Sequence, residues 1–496
     1  MAGKEFTRGA GILMSITSLP TAYGIGTMGQ DAFDFVDLLV DLKQRYWQVL
    51  PLGPTSFGDS PYQSFSAFAG NPYLIDLHTL IKEKLITKAE VESLSWGNKE
   101  DDIDYAILFE NRFKVLNSAC GRFDFENEKF LKFSKEESYW LDDYSFFMAM
   151  KTFSNNDGWM DWPEEIRNRN DKSLNQQQKK LEKEIMFWKF CQFKFFEQWM
   201  KLKTYANKKG IQIIGDIPLY VALDSADVWV NREDFQLDKN GCPTLVAGCP
   251  PDAFSDDGQK WGNALYDWDA MEQNGFAWWK KRMLANAKLY DVIRIDHFIG
   301  VVRYYSIPAN DDNAKNGRWR KGPRKKLTDA IEEVLGDGKI IAEDLGVSVP
   351  GVKKLMDKTG WPGMKILQFA FDGNTSHDYL PHNYTSRNIV VYAGTHDNET
   401  LVGYFRDKTE YELAFLYEYL NINSKEEIAD ALIRLAYSST ANVVIFQMQD
   451  LLKLGNEARM NLPSTVGKNW RWRALRDSLD DERRTWIRTM AIIYRR

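Results

Sequence analysis

Asp291-Val-Ile-Arg-Ile-Asp-His-Phe-Ile-Gly300 is the stretch on which the fold turns. Its first half alternates with the period of a β-strand, which puts Val292, Arg294 and Asp296 on one face and Ile293 and Ile295 on the other. The apolar back face predicts packing against a core. The Arg and Asp on the front face belong at a rim, where they meet solvent or a ligand. Taken alone, an Arg-x-Asp at a strand end is a structural ion pair more often than a functional one. Its meaning depends on what stands at the ends of the other strands.

Seven further segments share this character. Gly11–Pro20, Arg45–Gly53 and Ile211–Pro218 precede the opening stretch, and Lys339–Gly346, Met364–Phe371, Asn388–Asp397 and Ala441–Gln449 follow it. Nearly all are rich in Ile, Val and Leu, as parallel strands buried on both faces are, and several end in a polar residue: Asp216, Asp296, Glu343, Asp397 and Gln449. Helical patterns separate most of them, over Gln30–Lys43, Ala277–Leu289 and Lys325–Leu335, with a further helix start signalled by Ser348 as N-cap and Pro350 in the first turn. Eight strands alternating with helices predict a (β/α)8 TIM barrel, a single domain over residues 1–496 with its active site at the carboxyl ends of the strands.

Two intervals are too long for simple crossovers. Residues 57–207, with a long charged helix expected over Asn175–Lys209, read as a helical insertion subdomain between the second and third strands. Residues 219–274 carry Gly241-Cys-Pro, Gly248-Cys-Pro-Pro and Asp256-Asp-Gly among scattered aromatics, and read as a lid-like insertion between the third and fourth. After the last strand, Leu451–Arg496 is short and helix-like and leaves no room for a separate C-terminal β-sandwich domain.

Composition narrows the function classes. The chain has 496 residues, 44% hydrophobic and 27% charged, an ordinary soluble balance with no apolar run long enough to span a membrane. Lys4 and Arg8 precede only the short run Gly9–Ile16, so no secretory signal is expected. The net charge of -6 favours neither nucleic acid nor an anionic membrane as partner, and the basic run Arg318–Lys326 reads as a solvated loop. Cys120, Cys191, Cys242 and Cys249 lack Cys-x-x-Cys spacing and zinc-ligand histidines, and are expected to be reduced thiols in a cytoplasmic protein. Aromatic residues reach 14%, and some of them are candidates for the flat platforms on which sugar rings pack.

Three carboxylates stand at strand ends: Asp296 on the fourth, Glu343 on the fifth and Asp397 on the seventh. Cleavage of a glycosidic bond needs two carboxyl groups with separated pKa values, one ionised and one protonated. Arg294 is expected to hold Asp296 ionised, which makes Asp296 the candidate nucleophile. Glu343, at the end of Ile-Ile-Ala-Glu-Asp-Leu-Gly, has the apolar setting that raises a general acid. There is no Gly-rich phosphate loop, no Gly-x-Ser-x-Gly elbow and no His-Glu-x-x-His, and the histidines lack metal-ligand spacing, so neither a metal nor a cofactor is expected.

The motifs Gly58-Asp-Ser-Pro-Tyr-Gln63 with Ala69-Gly-Asn-Pro-Tyr73, Ile214-Gly-Asp-Ile-Pro218, Gly258-Gln-Lys-Trp-Gly-Asn263, Arg294-Ile-Asp-His-Phe298, Ala342-Glu-Asp-Leu-Gly346 and Gly394-Thr-His-Asp-Asn-Glu-Thr400, in this order, resemble the 4-alpha-glucanotransferases of the amylomaltase (disproportionating enzyme) family, glycoside hydrolase family 77 of the α-amylase clan. The resemblance runs over essentially the whole chain. It implies that Asp296 is the nucleophile, Glu343 the acid/base and Asp397 the third carboxylate that grips the distorted sugar. It also implies that Arg294 and His396 donate to that sugar, that Tyr62 stacks beneath it, that Asp216 is the carboxylate of the third strand end, and that Gln259 and Trp261 line the groove from the lid. Ala253, Ala264 and Ser464 depart from the family pattern, at positions where Tyr, Pro and Gly are common among relatives.

The implied activity is retaining transfer of an α-1,4-glucan segment to the 4-hydroxyl of glucose or of another glucan, with maltooligosaccharides as donors and acceptors. A hydrolase on the same fold and a glucan-binding protein without activity are the alternatives. Transfer and hydrolysis share the same intermediate and differ in how well the lid excludes water.

Overall fold

The computed structural model describes residues 6–56, 58–251, 255–347 and 349–496. The expected N-cap Ser348 and the departure at Ala253 lie outside the described residues. In chain order the strands are β1 (Gly9–Leu13), β2 (Tyr46–Gln48), β3 (Gln212–Ile217), β4 (Leu245–Cys249), β5 (Gln259–Ala264), β6 (Val292–Ile295), β7 (Arg303–Pro308), β8 (Arg318–Lys321), β9 (Lys339–Ala342), β10 (Met364–Ile366), β11 (Val390–Tyr392) and β12 (Val443–Gln447). Eight of them form one parallel sheet in the order β10-β11-β12-β1-β2-β3-β6-β9. The Ala342 N–H donates to the Pro362 carbonyl at 2.9 Å and the Met364 N–H to Asp344 Oδ1 at 2.8 Å, which brings β9 to β10 and nearly closes a (β/α)8 barrel.

The alternation read from the opening stretch is the one the packing uses. Val292 lies in an interior cluster with Leu13, Tyr46, Ile214, Ile341, Val390 and Ile445, while Ile293 and Ile295 pack outward in the layer shared with the helices. Each strand is thereby buried on both sides, which is why these segments read as near-continuous apolar runs. Gly215 on β3 has a packing reason: a Cβ there would sit 2.1 Å from the Tyr290 ring, which fills the space beside it.

The strands are shorter than the sequence suggests. Thr17 and Ser18 fall in a 3-10 turn, Ile16–Ser18, after β1. Gln449 lies in the helix Met448–Leu451, so the polar residue closing β12 is Gln447. Asp397 comes five residues after Tyr392, the last residue of β11, on the loop that follows it. The helix expected over Asn175–Lys209 is two helices, Asp171–Lys180 and Glu182–Lys208, separated at Leu181, whose side chain is buried. The helix after β9 is Val352–Thr359, preceded by Gly351 in the left-handed region, so Pro350 stands outside it.

The interval 219–274 is more ordered than a loop. It holds the helices Ala226–Val230 and Trp268–Gln273 and the strands β4 and β5. These strands join β7 and β8 in an antiparallel sheet of four, order β5-β4-β7-β8. The basic run therefore begins as an edge strand, β8, and continues into the helix Lys325–Leu335. Trp319 packs under the Arg303 guanidinium at 4.2 Å while Arg318, Arg320 and Lys321 face solvent, which hydrates the edge and blocks further pairing. Beyond β12 the described chain has one long helix, Asp481–Ile493, and a largely irregular run before it. That run is tied to residues 101–103 by the Arg471–Asp102 ion pair at 2.6 Å. No disulfide joins the cysteines.

Candidate active site

The carboxyl ends of β3, β6 and β9 and the loop after β11 place Asp216, Asp296, Glu343 and Asp397 at one end of the barrel. Asp216 on β3 stands opposite Arg294 on β6 in the strand register. Arg294 Nη1 donates to both oxygens of Asp216 at 2.6 Å and to Asp296 Oδ1 at 3.0 Å. One guanidinium thus serves two carboxylates, and it lies closer to the buried one. The sequence-based expectation that Arg294 holds Asp296 ionised is met only in part. Burial raises the Asp296 carboxyl well above its usual range, Arg294 opposes the rise, and the charges of Asp216, Glu343 and Asp397 add to it.

Glu343 directly follows β9. Its N–H donates to the Ile295 carbonyl at 3.1 Å, and its carboxyl accepts the main-chain N–H of His297 on Oε2 at 2.6 Å and that of Leu345 on Oε1 at 2.7 Å. Burial pushes this carboxyl up to about 7, against the lowering effect of Arg294 and the two N–H groups. Arg294 hydrogen-bonds an oxygen of Asp296 and none of Glu343, and Asp296 is the more exposed, its side chain 26% exposed against 8% for the whole of Glu343.

Tyr62 and His396 form the floor beside this pair. Tyr62 Oη donates to Asp216 Oδ2 at 2.9 Å and lies 2.8 Å from His396 Nε2. With the phenolic proton committed to Asp216, His396 Nε2–H is the donor to Tyr62 Oη, and Nδ1 is left bare in a buried position with no partner. The Tyr62 and His396 rings are near parallel at 10°, with centroids 5.3 Å apart, and Trp470 closes over both. Burial lowers the His396 pKa, so its ring is neutral. His396 Nε2 is 3.3 Å from Asp397 Oδ2.

On the side of the four-stranded sheet, Gln259 and Trp261 alternate along β5, and Trp261 Nε1–H donates to Gln259 Oε1 at 3.0 Å. The Trp261 ring meets the His297 ring edge-on, with centroids 4.9 Å apart. Gln63, next to Tyr62, donates to Asn263 Oδ1 at 3.0 Å and so joins β5 to the Tyr62 loop. All nine predicted site residues thus belong to one connected arrangement.

Several members escaped the sequence reading. Asn461 Nδ2 donates to Asp397 Oδ1 at 2.6 Å, and Arg459 Nη2 donates to the Asp397 carbonyl at 2.8 Å. These residues come from the irregular run after β12, 62 and 64 positions away in sequence, and no spacing announces them. Strand alternation from Asp296 would carry the His297 ring to the opposite side. Its φ of 50° breaks the strand alternation and turns the ring back toward Trp261. Among the described residues no group of three His, Cys, Asp or Glu side chains is placed to hold a metal ion, and no helix is long and apolar enough to cross a membrane.

The residues that built this site also decide its relationships. Residues 14–477 match the glycoside hydrolase family 77 model, described as 4-alpha-glucanotransferase. The 4-alpha-glucanotransferase of Clostridium butyricum is 48% identical over 97% of this chain and 100% of its own length. That of Streptococcus pneumoniae is 45% identical over 99% and 97%. The amylomaltase of Streptococcus agalactiae, solved in complex with acarbose, superposes with a TM-score of 0.96 at 43% identity and covers 99% of both chains. With its eight-stranded barrel and its rim of carboxylates, the chain belongs to glycoside hydrolase family 77, the 4-alpha-glucanotransferases.

Proposed function

We propose that this protein is a retaining 4-alpha-glucanotransferase that moves a segment of an α-1,4-glucan onto the 4-hydroxyl of glucose or of another α-1,4-glucan. Asp296 attacks the anomeric carbon while Glu343 passes its proton to the departing glycosidic oxygen, leaving a covalent glycosyl–enzyme intermediate. Glu343, now ionised, takes the proton of the acceptor 4-hydroxyl, and that oxygen displaces Asp296 from the anomeric carbon. Asp397 grips hydroxyls of the distorted sugar, Arg294 and His396 donate around it, Tyr62 supports its face, and Asp216 fixes Arg294 and Tyr62. Gln259 and Trp261 line the groove from the lid formed by residues 219–274, which keeps water from the intermediate and favours a sugar hydroxyl as acceptor. The helices of residues 57–207 act as a subdomain beside the barrel. No metal or cofactor takes part, and the protein works in the cytoplasm on maltodextrins or glycogen.

The observation that carries this reading is the different anchoring of the two central carboxyls at one end of the barrel: Glu343 accepts two main-chain N–H groups in a buried position, and Asp296 accepts the Arg294 guanidinium at 3.0 Å. The relatives' names supply the glucan specificity. Incubation with maltotriose and separation of the products tests it. Glucose together with a ladder of chains longer than maltotriose is the expected result. Maltose and glucose with no longer chains would make the protein a hydrolase and overturn the assignment.

A further inference from the structure

His297 occupies an unusual position for a residue that no step above uses. Its backbone is left-handed, with φ of 50°, a region costly for a non-glycine residue, and the strain sits next to the candidate nucleophile. The turn is held on both sides: the Phe298 N–H donates to the Glu343 carbonyl at 2.9 Å and the Gly300 N–H to the His297 carbonyl at 2.9 Å. Gly300 also makes room for the ring, since a Cβ there would lie 3.1 Å from His297 Cδ2 and 2.4 Å from Leu219 Cδ2. The ring packs edge-on against Trp261 of β5 and tilted against Tyr220, with centroids at 4.9 and 6.3 Å. Nε2 is buried without a hydrogen-bond partner, and burial lowers the imidazole to about 4, so the ring is uncharged and acts as packing surface.

We propose that His297 is a positioning residue that joins the lid to the catalytic acid: its ring is seated on Trp261 of the lid sheet, and its main-chain N–H is fixed on Glu343 Oε2. The link is short. Trp261 and Glu343 belong to different parts of the molecule, and one residue touches both. When Trp261 is in place, the left-handed turn is pinned and the N–H stays on the carboxyl. When Trp261 leaves, the ring loses its seat, the turn relaxes toward an unstrained backbone, and the N–H···Oε2 bond lengthens. A donor on Oε2 favours the carboxylate, so loosening it makes Glu343 a weaker acid. Lid closure over an acceptor thus tunes the proton that the reaction passes back and forth. The other groups facing Glu343 are Arg294 and Asp296 from the β6 end, Asp344 beside it, Tyr379 after β10 and Tyr392 on β11.

The proposal rests on the assignment of Glu343 as the acid and is tested through the pH dependence of kcat/KM for maltotriose disproportionation. Activity requires protonated Glu343, so it falls as pH rises through the pKa of that group. Weakening the N–H bond moves this alkaline limb upward. Trp261→Ala and His297→Gly are each expected to raise it by about half a unit to one unit. His297→Gly keeps the main-chain donor but removes the ring that pins the turn, and the wider backbone freedom of glycine lets the N–H leave Oε2. The double variant is expected to show the shift of one single variant and no more. Because the ring is neutral and Nε2 has no partner, His297→Phe is expected to restore the parent limb. If Trp261→Ala shifts the limb equally in the parent and in the His297→Gly background, or if neither variant shifts it, the link does not exist. A His297→Phe variant as displaced as His297→Gly assigns the effect to imidazole chemistry and also overturns the proposal. Unchanged thermal melting in the variants used separates the effect from misfolding. Glu343→Gln serves as control: if it remains active, the acid assignment has failed, whereas its loss of activity with an insensitive limb refutes only the link to the lid.

Discussion

Arg294 reaches two aspartates, and the two live in different surroundings. On the floor of the site, the side chain of Asp216 is fully buried, accepts Arg294 on both oxygens at 2.6 Å and also accepts Tyr62. At the rim, the side chain of Asp296 is 26% exposed and receives one contact at 3.0 Å. The floor repeats this pattern in His396, buried between Tyr62 and Trp470, and the rim repeats it in Asp397, whose side chain is 40% exposed. A satisfied, water-free ion pair cannot accept a new bond without losing an old one, whereas a half-open carboxylate with one light contact can turn to an incoming carbon. In the proposed reaction the same residue type at the same end of the barrel serves architecture on one strand and chemistry on the next, and the difference predicts which property each substitution removes.

The largest effect separates the rim from the floor. Asp296→Asn is expected to lower kcat for maltotriose disproportionation by about 10⁴-fold or more, because an amide cannot form the glycosyl ester. Its stability in urea is expected to match or slightly exceed that of the parent, since the substitution relieves repulsion among four neighbouring carboxylates. A variant that keeps a tenth of the parent rate would remove Asp296 from the reaction.

Asp216→Asn tests the floor. It leaves Arg294 buried at 3% side-chain exposure with the light contact to Asp296 as its remaining ion pair. Removing one member of a buried pair costs about 3–5 kcal/mol, read as a lower urea midpoint at unchanged slope. Part of the activity is expected to persist at low temperature where the variant is folded. Full stability with complete loss of activity would place Asp216 at the rim in function and erase the contrast.

The parts of this arrangement that could be read from the sequence share a physical cause. Strand periodicity put Arg294 and Asp296 on the face of Val292 and opposite Ile293 and Ile295, and the interior cluster containing Val292 has that alternation. The run of apolar segments with polar ends located Asp216, Asp296 and Glu343 correctly, because parallel strands buried on both faces leave polar residues only where they emerge. Tyr62, Gln259, Trp261 and His396 came from motif resemblance, and no periodicity would have found them. What stayed hidden depended on turns and on distant segments. Local alternation misdirected His297 because a single left-handed residue reverses a side chain. The strands β4 and β5 were not read as strands because the sheet they belong to is completed by β7, which pairs with β4 and comes after the next barrel strand. Asn461 and Arg459 carry no signal at all, since the contact that gives them meaning spans more than sixty residues.

Asn461 therefore makes the finest test of the rim. Its amide holds Asp397 Oδ1 at 2.6 Å, its main-chain N–H donates to the His396 carbonyl at 3.1 Å, and Arg459 anchors both ends of the segment through the carbonyls of Asp397 and Asn461. Asn461→Ala removes the side-chain bond and leaves the main-chain contacts in place. A hydrogen bond to a charged group contributes about 1.5–3 kcal/mol, so kcat is expected to fall about 10- to 100-fold, with stability changed by less than about 1 kcal/mol because the rim is open to water. Asn461→Asp is expected to fall further, since it faces Asp397 with a like charge where a donor stood. If Asn461→Ala works within a factor of two of the parent, then Asp397 needs no fixed orientation, and the rim is governed by the substrate and not by the chain that holds it.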